Sequence, residues 1–300
     1  MQIFLLISLW ISPNLNDYFS REPEKEKKVL VIGIDGLRPD SLMKAKTPSL
    51  DFLIENGSVT YHSYAGGELG KETQQVTSSG PGWSSILTGV WTNKHGVTDN
   101  SFSNQNYDKY PHFFRRLKES DPSLFLSSFV QWTPIHTYIL SDSDESGNGS
   151  DEYVSEMGAK SIKKGEVDVL FLHFDDVDHA GHAYRYGNDY PEYINSIEKT
   201  DRLIGFVLEE IDKKNHENWM VVVTTDHGGL NYGHGGQSND ERTIFFIASG
   251  GKTPVRILEK GPGHVAVAPT VFNHLGIEVD PEWGWEEGPF PFSSLGEKNE

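Results

Sequence analysis

The sequence predicts an α/β fold with a mostly parallel central sheet flanked by helices. Short apolar runs rich in β-branched residues alternate along the chain with segments of helical periodicity. Three of those runs end in Asp or in Asp-His, and sites in open α/β sheets form beyond the carboxyl ends of the strands. The chain has 300 residues. We therefore predict a single domain over residues 28–295, preceded by a separate N-terminal segment over residues 1–27.

Each predicted element follows from a local pattern. Buried strands are predicted where apolar runs are uninterrupted, and helices where apolar residues recur at helical spacing or where Pro and Gly mark the two ends. The predicted strands are 27–35, 123–130, 167–174, 219–229 and 242–250, and the predicted helices are 48–57, 81–89, 191–213 and 266–276. The acidic stretch 141–151 predicts a mobile surface loop, because a calcium loop starting at Asp142 would need a Glu at its twelfth position.

The composition excludes several classes of function. The formal net charge is −18, with 44 acidic and 26 basic residues, and such a surface repels nucleic acids and anionic membranes. We therefore expect no nucleic-acid partner. The chain has no cysteine, which excludes thiolate nucleophiles and cysteine-ligated zinc. Any metal must be held by His, Asp, Glu or a hydroxyl group.

The first residues, "MQIFLLISLWIS", form an apolar run that is too short to span a bilayer. The run is similar to the apolar part of a secretory signal, although no Lys or Arg precedes it. The charged stretch "SREPEKEKK" that follows is typical of a linker. From these features we predict export to the periplasm or the extracellular space and no transmembrane segment.

Acidic and imidazole side chains stand at or soon after the ends of three predicted strands. The candidate ligands are Asp35, Asp178, His182, Asp226, His227 and His234. Oxygen and imidazole ligands suit zinc and similar divalent ions, and this set is large enough for two of them. In "DDVDHAGH" the spacing leaves two pairs open, because Asp175 with His179 and Asp178 with His182 are both four residues apart.

The stretch "TSSGPGWSSILTG" offers several hydroxyl groups to a phosphate. Ser79 stands just before Gly80 and Pro81, where a helix N-terminus would attract an anion. Ser84 and Thr88 fall inside the predicted helix, where hydroxyls commonly bond back to the backbone. Without an activator, Ser79 would be a helix cap. Beside two metal ions it could be a nucleophile.

Five motifs taken together resemble the alkaline phosphatase superfamily, and within it the type I phosphodiesterase/nucleotide pyrophosphatase family. They are "VLVIGIDGLRPD", "SGPGWSSILTGVWTNKHGVTDN", "DVDHAGHAYRYG", "VTTDHGG" and "GHGG", in the family's order over about residues 28–280. The resemblance implies an alkaline phosphatase-like three-layer sandwich. It also implies a phosphoric ester hydrolase with two divalent metal ions, for which zinc is the expected ion, and a small-molecule phosphate ester as substrate.

The resemblance also assigns roles to residues. It places one metal ion on Asp35, Asp226, His227 and the nucleophile Ser79, and the other on Asp178, His182 and His234. His264 in "GPGH" is the rival for the role of His234. The nucleophile forms a phosphoseryl intermediate, while Asn100 and the Gly80 region donate hydrogen bonds to the transition state. Ser at position 79 is a departure from the many diesterases that carry Thr there.

Three alternatives stay open. A phosphomonoesterase would need an arginine to neutralise the additional phosphate charge, and Arg38 and Arg185 are the candidates. A sulfatase is disfavoured because Trp83 stands where the sulfatase C/S-x-P-x-R motif has Arg. A non-catalytic metal-binding protein is disfavoured because the full set of candidate site residues is present.

Overall fold

The computed structural model describes residues 25–291, which build one eight-stranded sheet of order β4-β3-β5-β1-β6-β7-β2-β8. The strands from β4 to β6 run parallel, whereas β7 runs antiparallel to both β6 and β2. This arrangement confirms the predicted mostly parallel sheet. The strands are β1 (Glu26–Ile34), β2 (Gly57–Tyr64), β3 (Leu126–Val130), β4 (Glu145–Asn148), β5 (Val169–Phe174), β6 (Glu217–Thr224), β7 (Thr243–Gly250) and β8 (Arg256–Ile257).

Helices cover both faces of the sheet. Within the described residues they are α1 (Pro39–Leu42), α2 (Pro48–Glu55), α3 (Ser79–Thr88), α4 (Thr92–His95), α5 (Phe113–Ser120), α6 (Asp151–Lys164), α7 (Asp176–Tyr184), α8 (Pro191–Asp212), α9 (Asn239–Arg242) and α10 (Val267–Leu275). A π-helical turn spans Ile135–Ile139, and 3₁₀ turns span His264–Ala266 and Pro281–Trp283.

The central strands are buried on both sides, which explains their continuous apolar sequences. In β1, Val29 and Val31 pack into the core that α3, α5 and α10 cover. Leu30 and Ile32 point the other way, into the core beneath α2, α6 and α8. The result is the predicted three-layer arrangement of helices, sheet and helices.

The structure shifts several predicted boundaries. Helix α3 begins at Ser79 with Ser78 as its N-cap residue, rather than at residue 81. Strand β6 ends at Thr224, so Asp226 and His227 lie in the loop that follows it. Strand β2 was not predicted at all, since its sequence "GSVTYHSY" mixes polar and apolar residues. Its place in the sheet comes from pairing with β7, which a local pattern does not reveal.

The expectation that residues 141–151 form a mobile surface loop is wrong. Residues 145–148 are strand β4, which pairs in parallel with β3 at the edge of the sheet. Polar and charged residues are common on edge strands, where they discourage further pairing. Asp151 then begins α6 and is buried, and its carboxylate accepts hydrogen bonds from the N–H groups of Asp175 (2.8 Å) and Asp176 (3.3 Å). This contact anchors the segment from β5 to α7.

The predicted secretory signal and most of the linker, and with them the basis for export, lie outside the described residues 25–291. The domain limits 28–295 therefore stay a prediction. Between residues 25 and 291 there is no helix that combines the length and the apolar composition needed to cross a membrane.

Asp151 gives a pH-dependent stability that can be measured. Burial, reinforced by the charge of Asp176, raises the pKa of Asp151 to about 8. A carboxyl group that is harder to ionise in the folded state makes the protein less stable as the pH rises from about 4 to about 8. Asp151→Asn keeps an acceptor oxygen and removes this dependence. We expect the free energy of unfolding of the variant, relative to wild type, to rise by about 3 to 4 kcal/mol between pH 5 and 8 in urea titrations.

The control for this experiment is Asp189→Asn, which removes the same charge from a side chain that is 87% exposed. Its difference from wild type is expected to stay constant with pH. A constant difference for Asp151→Asn as well would contradict the assignment of the pH dependence to Asp151.

Candidate metal centre

Three neighbouring strands in the middle of the sheet bring the site together. Strand β1 lies between β5 and β6, and all three run in the same direction. Asp35 directly follows β1, Asp226 and His227 follow β6, and α7 follows β5 with Asp178 and His182 on it. Because parallel strands end at the same edge, residues far apart in sequence meet there.

The first cluster consists of Asp35, Asp226 and His227, all almost fully buried. The Nε2 atom of His227 lies 3.5 Å from Asp35 Oδ1 and 3.2 Å from Asp226 Oδ2. Among the described residues, these two carboxylate oxygens have no hydrogen-bond partner. Buried carboxylate oxygens normally find a partner, so their position beside an imidazole fits a cation.

The second cluster consists of Asp178, His182 and His234. The Nε2 atom of His182 lies 3.2 Å from Asp178 Oδ2 and 3.2 Å from His234 Nε2. His234 Nε2 is 3.9 Å from Asp178 Oδ1, and its ring stacks on that of His227 with the centroids 3.8 Å apart. The two clusters are therefore adjacent and together contain every ligand predicted from the sequence except the Ser79 hydroxyl.

The three histidines share one arrangement. In each of them Nδ1 faces a backbone carbonyl, so that Nδ1–H donates and the Nε2 atom is directed into the cluster. Metal-ligating histidines are usually oriented in this way. The accepting carbonyls are those of Gly228 for His227 (2.8 Å), Tyr232 for His182 (2.8 Å) and Thr77 for His234 (2.9 Å).

The three carboxylates also share an arrangement, because each has one oxygen held by a donor from the protein. The donors are Trp83 Nε1 to Asp35 Oδ2 (2.8 Å), the Gly36 N–H to Asp226 Oδ1 (3.3 Å) and the Tyr186 hydroxyl to Asp178 Oδ1 (2.5 Å). The other oxygen of each carboxylate lies close to a histidine Nε2. Each Asp is thereby oriented to offer one oxygen to a shared centre.

The electrostatics of the two clusters differ. Burial and the nearby negative charges raise the pKa of Asp35 and of Asp226 well above the usual range. Burial also acts to raise the pKa of Asp178, but the hydrogen bond from His182 and the charges of His227 and His234 lower it below its ordinary value. The same hydrogen bond raises the pKa of His182 to about 9. A metal ion that binds His182 Nε2 must therefore displace a proton.

Ser79 is the first residue of α3 and lies at the edge of the first cluster. Its side chain is buried, and its Oγ is 3.4 Å from His227 Nε2. The N–H of Gly80 donates to Asn100 Oδ1 at 2.7 Å. The expectation that the Gly80 region donates to the transition state stays a prediction, and the N–H of Gly80 itself is already engaged, because Asn100 accepts its hydrogen. This bond orients Asn100 and leaves its Nδ2 group to donate.

The remaining hydroxyls of the stretch have structural partners. Ser84 and Thr88 donate to the carbonyls four residues earlier, each at 2.6 Å. Ser85 donates to Gln75 Oε1 at 3.0 Å. Only Ser79, of the hydroxyls on α3, lies beside the Asp and His clusters.

The pair Asp175 and His179, which the spacing left open, joins neither cluster. His179 is 61% exposed and lies 3.4 Å from Asp175. Asp175 instead forms a third cluster with Asp35 and His173.

His264, the rival for the role of His234, belongs to none of the three clusters described for residues 25–291. It is buried and stacks on Trp91 with the ring centroids 4.9 Å apart.

Neither Trp83 nor Tyr186 belongs to a ligand pattern in the sequence, and their role as hydrogen-bond donors to carboxylates is visible only in the structure. A signal for Trp83 exists in Gly33, a glycine within a buried strand, which often marks a close approach. A Cβ atom at position 33 would lie 2.3 Å from the indole ring of Trp83.

A parallel α/β sheet that gathers three aspartates, three histidines and a serine at its carboxyl edge defines a metal-dependent enzyme class. In agreement, the sequence model of the Metalloenzyme superfamily matches residues 27–279, and the chain belongs to that superfamily. The predicted membership of the alkaline phosphatase-like superfamily is confirmed.

Individual relatives show how far the similarity extends. GPI ethanolamine phosphate transferase 3 of Schizosaccharomyces pombe is 29% identical over 90% of this chain, which spans 29% of that protein. Human ectonucleotide pyrophosphatase/phosphodiesterase family member 5 is 25% identical over 86% of this chain and 55% of its own length. The solved structure of murine ectonucleotide pyrophosphatase/phosphodiesterase 5, an inactive form in complex with AMP, superposes with a TM-score of 0.68 at 16% identity, covering 85% of this chain and 96% of that one.

Metal binding should stabilise the protein through its buried carboxylates. We expect excess Zn²⁺ to raise the melting temperature of chelator-treated wild type, since a ligand at 100 times its Kd contributes about 2.7 kcal/mol. We expect Asp226→Asn to differ from wild type both without metal and with excess Zn²⁺. Without metal it is more stable than wild type by about 1 kcal/mol or more, because a buried charge is removed, and it loses most of the gain on adding Zn²⁺.

Calorimetric melting curves with and without Zn²⁺ test this expectation. Glu55→Gln, which removes an exposed charge on α2, serves as the control and should respond to Zn²⁺ as wild type does. An unchanged response of Asp226→Asn to Zn²⁺ would show that Asp226 is not a ligand.

Proposed function

We propose that the protein hydrolyses phosphoric esters in the manner of a phosphodiesterase/nucleotide pyrophosphatase, with Ser79 as nucleophile and a small-molecule ester as substrate. One observation carries this proposal. The hydroxyl of Ser79 lies at a helix N-terminus, 3.4 Å from His227 Nε2, and the same Nε2 atom lies beside two buried carboxylate oxygens that, among the described residues, have no hydrogen-bond partner. Such a hydroxyl has both an activating environment and a phosphate-binding position.

The residues fit a pair of divalent ions, for which zinc is the expected identity. Asp35, Asp226, His227 and the Ser79 hydroxyl would hold one ion, and Asp178, His182 and His234 the other. When bound, such ions lower the pKa of a coordinated hydroxyl and neutralise charge that develops on ester oxygens. Three carboxylates and neutral imidazoles are the donor types that zinc accepts.

The helix N-terminus and the side chains of Ser79 and Asn100 then act in two steps, formation and hydrolysis of an intermediate on Ser79. Helix α3 has ten residues, and the partial positive charge at its N-terminus favours a phosphate next to Ser79. Ser79 Oγ loses its proton and attacks phosphorus, the bond from phosphorus to the alcohol oxygen breaks, and that oxygen takes up a proton, which leaves a phosphoseryl intermediate that still carries the second ester group. The Nδ2 group of Asn100 donates to a non-bridging oxygen. Water then attacks phosphorus, the bond to Ser79 Oγ breaks, one proton of the water returns to Oγ, and the phosphate monoester is released.

The arginines favour a diester over a monoester. Arg38 donates to both oxygens of Asp40 and forms an ion pair with Asp240 at 3.1 Å. Arg185 donates to Asn231 Oδ1 at 2.6 Å. Because two carboxylates already engage the Arg38 guanidinium, it is not in place to neutralise the additional charge of a monoester.

A second candidate activity is transfer to an alcohol in place of water. It is favoured by the 29% identity to a GPI ethanolamine phosphate transferase over 90% of this chain. The first step and its residues are the same. The two activities differ only in whether water or an alcohol takes the phosphoryl group from Ser79.

A substrate panel on wild type and Ser79→Ala tests the proposal. The panel comprises an aryl phosphodiester, an aryl phosphomonoester, an aryl sulfate and a dinucleotide, each with and without Zn²⁺. We expect the diester or the dinucleotide to be the best substrate, and Ser79→Ala to lower kcat by at least about 10³-fold while it keeps its metal content. Ser84→Ala is the matched control, because Ser84 lies on the same helix and donates to the backbone.

The products separate the remaining candidates. A primary alcohol is added to the reaction to detect transfer. If its phosphate ester forms in place of the hydrolysis product, the protein is a transferase. Preferred cleavage of the monoester or the sulfate contradicts the diesterase assignment. Full turnover by Ser79→Ala shows that another group is the nucleophile.

A further inference from the structure

We propose that Trp83 and His173 are positioning residues that restrict Asp35 to one metal-facing oxygen. We further propose that the third cluster (Asp35, His173 and Asp175) does not bind an ion of its own, and that its His173 supports the Asp35 carboxylate through a hydrogen bond. This inference rests on the proposed metal site. It adds Trp83 and His173, which are not among the predicted ligands.

Two donors converge on the same oxygen of Asp35. Trp83 Nε1 lies 2.8 Å from Asp35 Oδ2, and His173 Nε2 lies 3.3 Å from it. An indole nitrogen can only donate. His173 Nδ1 faces the N–H of Trp132 at 3.5 Å and accepts from it, which leaves the hydrogen on Nε2. Oδ2 therefore receives two N–H groups.

These two hydrogen bonds determine which oxygen of Asp35 can bind a metal ion. With Oδ2 occupied by two donors, only Oδ1 can act as a ligand, and Oδ1 lies 3.5 Å from His227 Nε2. An ion in the third cluster would need Asp35 Oδ2 together with the Nε2 lone pair of His173. The N–H of Trp83 occupies the first and the hydrogen on Nε2 removes the second, so the third cluster does not suit a cation.

The indole ring of Trp83 is held tightly enough to impose this geometry. It is fully buried, and it meets His173 edge to face with the centroids 4.7 Å apart and Phe171 with the centroids 6.1 Å apart. Its far edge lies against Gly33 of β1, where any side chain would collide with it. A well-packed core holds a side chain in one rotamer.

The position of Trp83 in the sequence adds a second role. Trp83 follows Ser79 by four residues on α3, and residues four apart lie on the same side of a helix. One helix thus carries both the proposed nucleophile and the donor to Asp35. The hydrogen bond from Trp83 to Asp35 sets the placement of α3, and so of the Ser79 hydroxyl, relative to the first cluster.

The test compares metal affinities of Trp83→Phe and wild type by competition with a chromophoric chelator. Removal of the indole N–H should weaken one of two Zn²⁺ sites by about 10- to 100-fold, as the loss of a partner behind a ligand does, and leave the other site unchanged. Trp219→Phe is the matched control. Trp219 is also buried and donates to a carboxylate, Glu217 Oε2 at 2.6 Å, but near the start of β6 at the opposite edge of the sheet.

Two variants of His173 keep the test informative if Trp83→Phe does not fold. His173→Leu removes the donor and should weaken the same Zn²⁺ site, whereas His173→Gln retains an N–H at the corresponding position and should recover most of the affinity. At limiting Zn²⁺ the diesterase kcat of Trp83→Phe and His173→Leu should fall with KM unchanged, and excess Zn²⁺ should restore it. A defect in folding alone would not be reversed in this way.

The outcomes separate this inference from the proposed function. Wild-type Zn²⁺ affinities in folded Trp83→Phe and His173→Leu overturn the positioning role while the metal site stands. Binding of three ions to wild type and two to His173→Leu makes His173 a ligand and also overturns it. A wild type that binds no divalent ion overturns the metal site itself and the positioning role with it.

Discussion

The site depends on the burial of three carboxylates, Asp35, Asp178 and Asp226, close together at the carboxyl edge of the sheet. Like charges in a low-dielectric interior repel strongly, so each carboxylate needs compensation. The protein supplies part of it, because at least one hydrogen-bond donor contacts one oxygen of each Asp. The histidines, and a divalent ion where one binds, supply the remainder. The raised pKa values of Asp35 and Asp226 and the lowered pKa of Asp178 are consequences of how this compensation is divided.

The helices on the two faces of the sheet position the residues around these carboxylates. Helix α3 packs on one face of β1 and carries Ser79 and Trp83, while α7 follows β5 and carries Asp178 and His182. Asp151, at the start of α6, holds the segment that leads into α7 through two backbone N–H groups. The candidate ligands at one edge of the sheet are therefore held in place by helices from both faces, and a metal centre requires preorganisation of this kind.

Much of this could be predicted from the chain itself. Strands β1, β5, β6 and β7 are continuous apolar runs, and such runs can be recognised in the sequence without knowledge of distant residues. The predicted ligands of both clusters and Ser79 meet in the structure, because parallel strands must end at a common edge. Strands β2 and β4 were missed, because each is polar and is held in the sheet by pairing with a distant strand.

The sequence by itself determined the class of fold, the residue types of the site and the edge where they meet, since these follow from local periodicity and strand direction. The tertiary structure decided which oxygen of each Asp is free, and it places at the centre Asp178 and His182, the Asp-His pair of "DDVDHAGH" that the family resemblance favours and that spacing alone leaves open. It also turned the Gly80 N–H towards Asn100 and placed the indole of Trp83 against Gly33. These outcomes depend on side chains from separate elements that pack within hydrogen-bond distance, and spacing along the chain does not encode such contacts.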